Sequence, residues 1–96
     1  MRPQPTTARF TVEDLLKLIE QLGVAIRREP LGTDGGGLCI IQGKRVLFVD
    51  TAADLATQRA VCLSLLAQTP EFDNMFARPD IRSAVEAVRA AGGSND

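Results

Sequence analysis

Two runs of β-forming residues, LCII (Leu38–Ile41) and RVLFV (Arg45–Val49), flank the segment Gln42-Gly43-Lys44, and no other feature of this sequence limits its fold as tightly. Branched and aromatic residues around a glycine turn specify a β-hairpin. Side chains alternate across a strand. A two-residue turn therefore places Cys39, Ile41, Val46 and Phe48 on one face and Leu38, Ile40, Leu47 and Val49 on the other, while a three-residue turn shifts one strand's parity. Both faces are apolar. Strands of that kind are covered on both sides, and 96 residues leave few elements to do the covering. The hairpin thus points to a partner. The first set is expected to pack on the chain's own helices. The second set, Leu38, Ile40, Leu47 and Val49, is expected to be covered wholly or in part by another copy or another protein.

The segments around the hairpin read as helices and one more strand. Thr11 is a good N-cap with Asp14 three residues on, and Phe10 and Leu15 are spaced for a hydrophobic staple. Val12, Leu15, Leu16, Ile19 and Leu22 then follow helical spacing, and Gly23 stands where a helix-ending glycine should. Val24 and Ile26 alternate with Ala25 and Arg27, as in a half-buried strand that stops before Pro30. Leu31 to Gly37 is read as a loop. After Asp50, either Thr51 or Asp54 caps a helix in which Ser64 is the one polar residue from Ala60 to Ala67, so a central, buried position is expected. Thr69-Pro70 ends it. Phe72, Met75 and Phe76 are expected to plug one end of the core. Pro79 opens a last helix with Ile81, Ala84, Val85 and Val88 in one stripe, stopped by Gly92-Gly93. The reading is an α+β fold: an N-terminal helix, a three-stranded, mainly antiparallel sheet with a hairpin, a buried central helix and a C-terminal helix. One domain covers residues 10–91, with flexible tails at 1–9 and 92–96.

Composition narrows the function classes. Eleven basic and twelve acidic residues are spread along the chain for a net charge of -1, with no basic stripe, which argues against nucleic acid. Nothing approaches 18 apolar residues in a row, so no membrane span is expected. MRPQPTTARF lacks the apolar centre of a signal peptide, and two cysteines make no disulfide framework; a cytoplasmic location is expected.

The chain has no histidine. That removes the usual general base near neutral pH, the Ser–His and Cys–His pairs and the commonest zinc ligand. Asp34-Gly35-Gly36-Gly37 leads into a strand rather than a helix, and no Lys-Ser/Thr follows, so it reads as a turn and not as a phosphate loop. Cys39 and Cys62 read as small core hydrophobes. Glu13, Asp14, Asp50, Asp54, Glu71 and Asp73 include no pair that spacing forces together. No catalytic residue, metal ligand or cofactor is therefore expected.

From Thr11 to Gln68 the layout resembles the core of the ImmA/IrrE-type zinc metallopeptidases, a gluzincin family. The pieces that carry the resemblance are LIEQLGVAI, GGGLCIIQGKRVLFVD and QRAVCLSLLAQ, the last set against a helix reading roughly QRxxxxHExxH. The resemblance implies a zincin-like αβββαα fold. Placing Gln58-Arg59 on the family's Gln-Arg puts Ser64 and Gln68 at the two zinc histidines and Leu65 at the catalytic glutamate. A hydroxyl, an amide and an isobutyl group neither hold zinc nor activate its water. The expectation is a metallopeptidase-like domain without the peptidase, serving as an interaction or structural module that self-associates or binds a protein. The alternatives are a small-molecule binder or enzyme with polar groups converging around Gln58, Arg59 and Asp50, and a thiol sensor built on Cys39 and Cys62.

Overall fold

The first helix, α1 (Val12–Gln21), begins and ends on local chemistry. At its start the Asp14 backbone N–H donates to Thr11 Oγ1 (3.2 Å), and the Thr11 N–H donates to Asp14 Oδ2 (3.0 Å), closing a capping box. At its end the Gly23 N–H donates to the Glu20 carbonyl and the Val24 N–H to the Ile19 carbonyl, with Gly23 at φ 84°. That is a Schellman motif. Val24 and Ile19 both lie in the core, so the stop also sets the angle at which the chain leaves the helix.

The computed structural model describes residues 10–32 and 36–92. The tails expected at either terminus lie outside that range, except Gly92, which ends the last helix. After α1 come β1 (Ala25–Glu29), β2 (Gly36–Ile41), β3 (Lys44–Asp50), α2 (Leu55–Ala67), a 3₁₀ turn (Pro70–Asn74) and α3 (Pro79–Gly92). The chain is α+β, with one mixed sheet in the order β1-β3-β2. β3 pairs antiparallel with β2 and parallel with β1. Asp50 ties the strand ends together. It is 1 % exposed, and its Oδ1 accepts from the Leu31 and Ala52 N–H groups, both at 2.9 Å.

All three helices lie on one side of the sheet. α1 and α2 pack on each other and on the strands, and α3 packs on α2. The core between the layers holds Leu15, Ile19, Leu47, Val49, Cys62, Leu66, Phe72, Ile81 and Val85. Two arginines of α3 fasten the 3₁₀ turn. Arg82 lies 4.7 Å from the Phe72 ring centroid and donates to the Met75 carbonyl (2.7 Å). Arg89 donates to the Ala67 carbonyl (3.0 Å) and to Asp73 (2.7 Å), placing a cation at the negative end of α2.

Expectations about single residues need correction. Phe76 does not plug the core; it is 90 % exposed, and Phe72 fills that place at 0 %. Gln58, named with Arg59 and Asp50 as a converging polar group, is buried, because its Nε2 donates back to the Ala53 carbonyl (2.8 Å) and so satisfies the amide inside the fold. Cys39 is exposed and not a core residue, since no helix among the described residues covers its face of the sheet.

Candidate functional site

The hairpin closes through two residues, Gln42 (φ 52°) and Gly43 (φ 79°), and Ile41 stands opposite Lys44. Positive φ at both central positions matches the strands' twist, which favours this turn in hairpins. The two-residue parity is thus the one the structure adopts, and the eight hairpin residues divide as the alternation requires. Which face turns inward is the reverse of the expectation. Leu47 (1 % exposed) and Val49 (0 %) lie in the core beneath the helices, while Phe48 and Val46 stand outside the core cluster on the far side. Both faces of β3 are apolar, so its sequence carries no alternation to mark the inner one. Leu38 and Ile40 share the inward face with Leu47 and Val49 yet remain 44 % and 63 % exposed; β2 is the last strand of the sheet, and the space between it and α2 is an open groove that Leu38 lines.

Between β2 and α2 runs a groove of about 500 Å³. Gly36, Gly37 and Leu38 form one wall, Leu47 the floor, and Ala60, Val61, Ser64 and Leu65 the other wall. The three positions aligned with the metallopeptidase motif all border it. Leu65 is 5 % exposed, Ser64 is half-buried, and Gln68 Nε2 donates to Ser64 Oγ (3.2 Å). None of the lining side chains ionises in the neutral range. Among the described residues, no three His, Cys, Asp or Glu side chains come together as a metal-binding group. The residues Gln58, Arg59 and Asp50, singled out as a polar convergence, do not line this groove. Gln58 turns inward and Asp50 sits at the strand ends.

Two backbone features shape the wall. Gly36 has φ 111°, and a Cβ there would lie 1.9 Å from the Phe48 carbonyl oxygen, so only glycine lets β2 approach β3 so closely. The hairpin also fixes which backbone groups face outward. In a two-residue hairpin the flanking pair exchanges both hydrogen bonds, and bonded pairs recur at every second residue. Cys39 and Ile41 therefore direct their N–H and C=O groups at β3, and Leu38 and Ile40 direct theirs at the open edge. The sequence reading missed this edge and the stripe Thr57, Ala60, Ser64 and Gln68 that lines the groove. Its signal was visible as small and polar residues at helical spacing inside an otherwise apolar helix.

The two thiols lie on opposite sides of the sheet. Cys62 is buried in α2, and burial pushes its thiol up to about 11. Cys39 points away from the helices, across the strands from Val46. No helix among the described residues is long and apolar enough to cross a membrane.

Comparison with known protein families, curated proteins and solved structures finds no match for this chain.

Proposed function

We propose that this chain is a non-catalytic interaction module, a metallopeptidase-like domain of the ImmA/IrrE type whose motif positions have become packing residues and whose hairpin edge binds protein. The observation that carries the reading is the outer edge of β2, with which no other strand among the described residues pairs. Its outward backbone groups, its exposed Leu38 and Ile40 and the apolar groove beside them form one continuous surface. Such an edge binds an extended segment by main-chain hydrogen bonds, with alternate side chains entering pockets.

The chemistry of the groove supports the absence of catalysis. Ser64, Leu65 and Gln68 offer no group that would ionise a water or bind zinc at neutral pH. Peptidase activity assayed on an unstructured protein substrate with added zinc is expected to equal the no-enzyme blank, and zinc-dependent cleavage would contradict the reading.

The binding claim has its own experiment. Displayed random peptides are selected on the purified protein and then tested on Ile40→Lys, which sets a charge on the edge. Extended apolar peptides that bind the parent and lose the variant are expected. Selection that yields no edge-dependent peptide, from a protein that is also monomeric, overturns the proposal.

A further inference from the structure

We infer that the occupant of the β2 edge is β2 of a second copy, paired antiparallel about a two-fold axis through Cys39, so that two three-stranded sheets continue as one of six. This rests on the interaction reading above and names the partner.

The backbone phase restricts the pairing. Outward groups come from Leu38 and Ile40, so outward residues of one copy must meet outward residues of the other. An axis through Cys39 sets Leu38 opposite Ile40 of the second copy, and Ile40 opposite its Leu38. An axis through Leu38 would instead set Ile40 against Gly36, which has no side chain to pack on it and a φ of 111° outside the strand range. The first register matches apolar to apolar at both positions.

Charge points the same way. From Gly36 to Ile41 the strand has no charged residue, so a copy meets no like charge. The other edge of the sheet, β1, carries Arg27, Arg28 and Glu29 and stops at Pro30, the features by which proteins discourage edge pairing. Shape agrees with charge. Ile40, at 63 % exposure, stands on the groove side of the strand, and pairing brings it to the mouth of the other copy's groove beside Leu38. One knob and one groove per copy, exchanged by the axis, make an isologous interface.

The sequences of the other segments do not read as strands that would pair here. Residues 1–9 are MRPQPTTAR, 33–35 are TDG and 93–96 are GSND. None has a branched aliphatic or aromatic side chain to alternate along a strand, and the first has two prolines, which lack a donor.

A single strand pair is a small interface, so the dimer is expected to be reversible and concentration-dependent. Opposed residues at a non-bonded antiparallel position lie about 4.5 Å apart at Cα, within the span of a disulfide. Cys39 is therefore a probe of the register. Treating the protein at roughly 50 µM with copper-phenanthroline is expected to give a covalent dimer on a non-reducing gel. The dimer persists in Cys62→Ala and is lost in Cys39→Ser. In sedimentation equilibrium the parent dimerises with concentration, and Ile40→Lys weakens association about tenfold or more with its thermal transition retained. The cross-link does not depend on how that variant folds. A monomer throughout the concentration series, or a dimer that forms no Cys39 cross-link, overturns the inference. If the monomer still binds edge-dependent peptides, self-pairing falls and the interaction reading stands.

Discussion

The two edges of one sheet are built on opposite plans. β1 is charged on both faces: Arg27 bonds Glu29 and lies 5.8 Å from the Phe48 ring centroid, and Arg28 bonds Glu13 of α1 at 3.0 Å. Its backbone ends at Pro30, and α1 packs beside it. β2 also has a helix beside it, α2, but lacks the charges and the closing proline. It begins at a glycine that only glycine can be, continues uncharged, and leaves Leu38, Ile40 and Ile41 exposed. An uncharged edge beside a charged one, in the same small sheet, is the contrast on which the proposed strand pairing rests.

The largest effect expected from changing this comparison is at Gly36. Gly36→Ala drives a Cβ into the Phe48 carbonyl at a positive φ, and should cost about 3 kcal/mol in denaturant unfolding. Gly37→Ala, one residue along with open space around it, should change stability by less than about 0.5 kcal/mol. Equal losses would mean that β2 does not hold its close register with β3.

Next comes the fastening of the helical layer under the groove. Arg89→Ala removes donors to the Ala67 carbonyl and to Asp73 and should cost about 1–2 kcal/mol by the same measurement. The charged edge is worth less. Arg28→Ala breaks an exposed pair and should lower stability by less than Arg89→Ala does. In the parent, the Arg28 guanidinium holds the Glu13 carboxyl below its ordinary value of 4.5, and carboxyl NMR titration should show that value rise in the variant.

The smallest effect is on pH dependence. Asp14 is held below its ordinary 3.8 chiefly by the Thr11 N–H, and Asp54 by Thr57. Carboxylates with lowered folded values contribute stability above their unfolded values and lose it as pH falls through the folded ones. Thermal melts should therefore be level through the neutral range, where no histidine titrates, and decline below about pH 4.5. A melting temperature that changes between pH 6 and 7 would contradict this.

What was legible in the sequence was what local chemistry decides. Thr11, Asp14 and Gly23 define both ends of α1 through bonds within a few residues, and the structure makes each of them. The hairpin itself was legible, but its parity was not, since a two- or a three-residue turn remained open until the structure closed it through Gln42 and Gly43. The inward face of β3 was not legible, because Val46-Leu47-Phe48-Val49 is apolar at every position and only the helices' location breaks the tie. Nor was the parallel pairing of β1 with β3, which depends on strand order and not on either strand's residues. The burial of Gln58 and the exposure of Phe76 were not legible for a related reason. A polar side chain with an internal acceptor buries readily, and an aromatic one finds the core only where the backbone aims it. At the candidate site, Ser64, Leu65 and Gln68 do share the groove, whereas the edge they face is a property of the sheet as a whole.

Amide hydrogen exchange across the hairpin, followed by NMR in dilute and concentrated protein, bears most directly on the open edge. At low concentration Cys39 and Ile41 should be protected, and Leu38 and Ile40 should exchange freely. At a few hundred micromolar, roughly, Leu38 and Ile40 should gain protection while Cys39 and Ile41 change little. Leu38 and Ile40 amides already protected in a dilute monomer, or unprotected at every concentration and with every edge-selected peptide, would show that β2 is not an edge that accepts a strand.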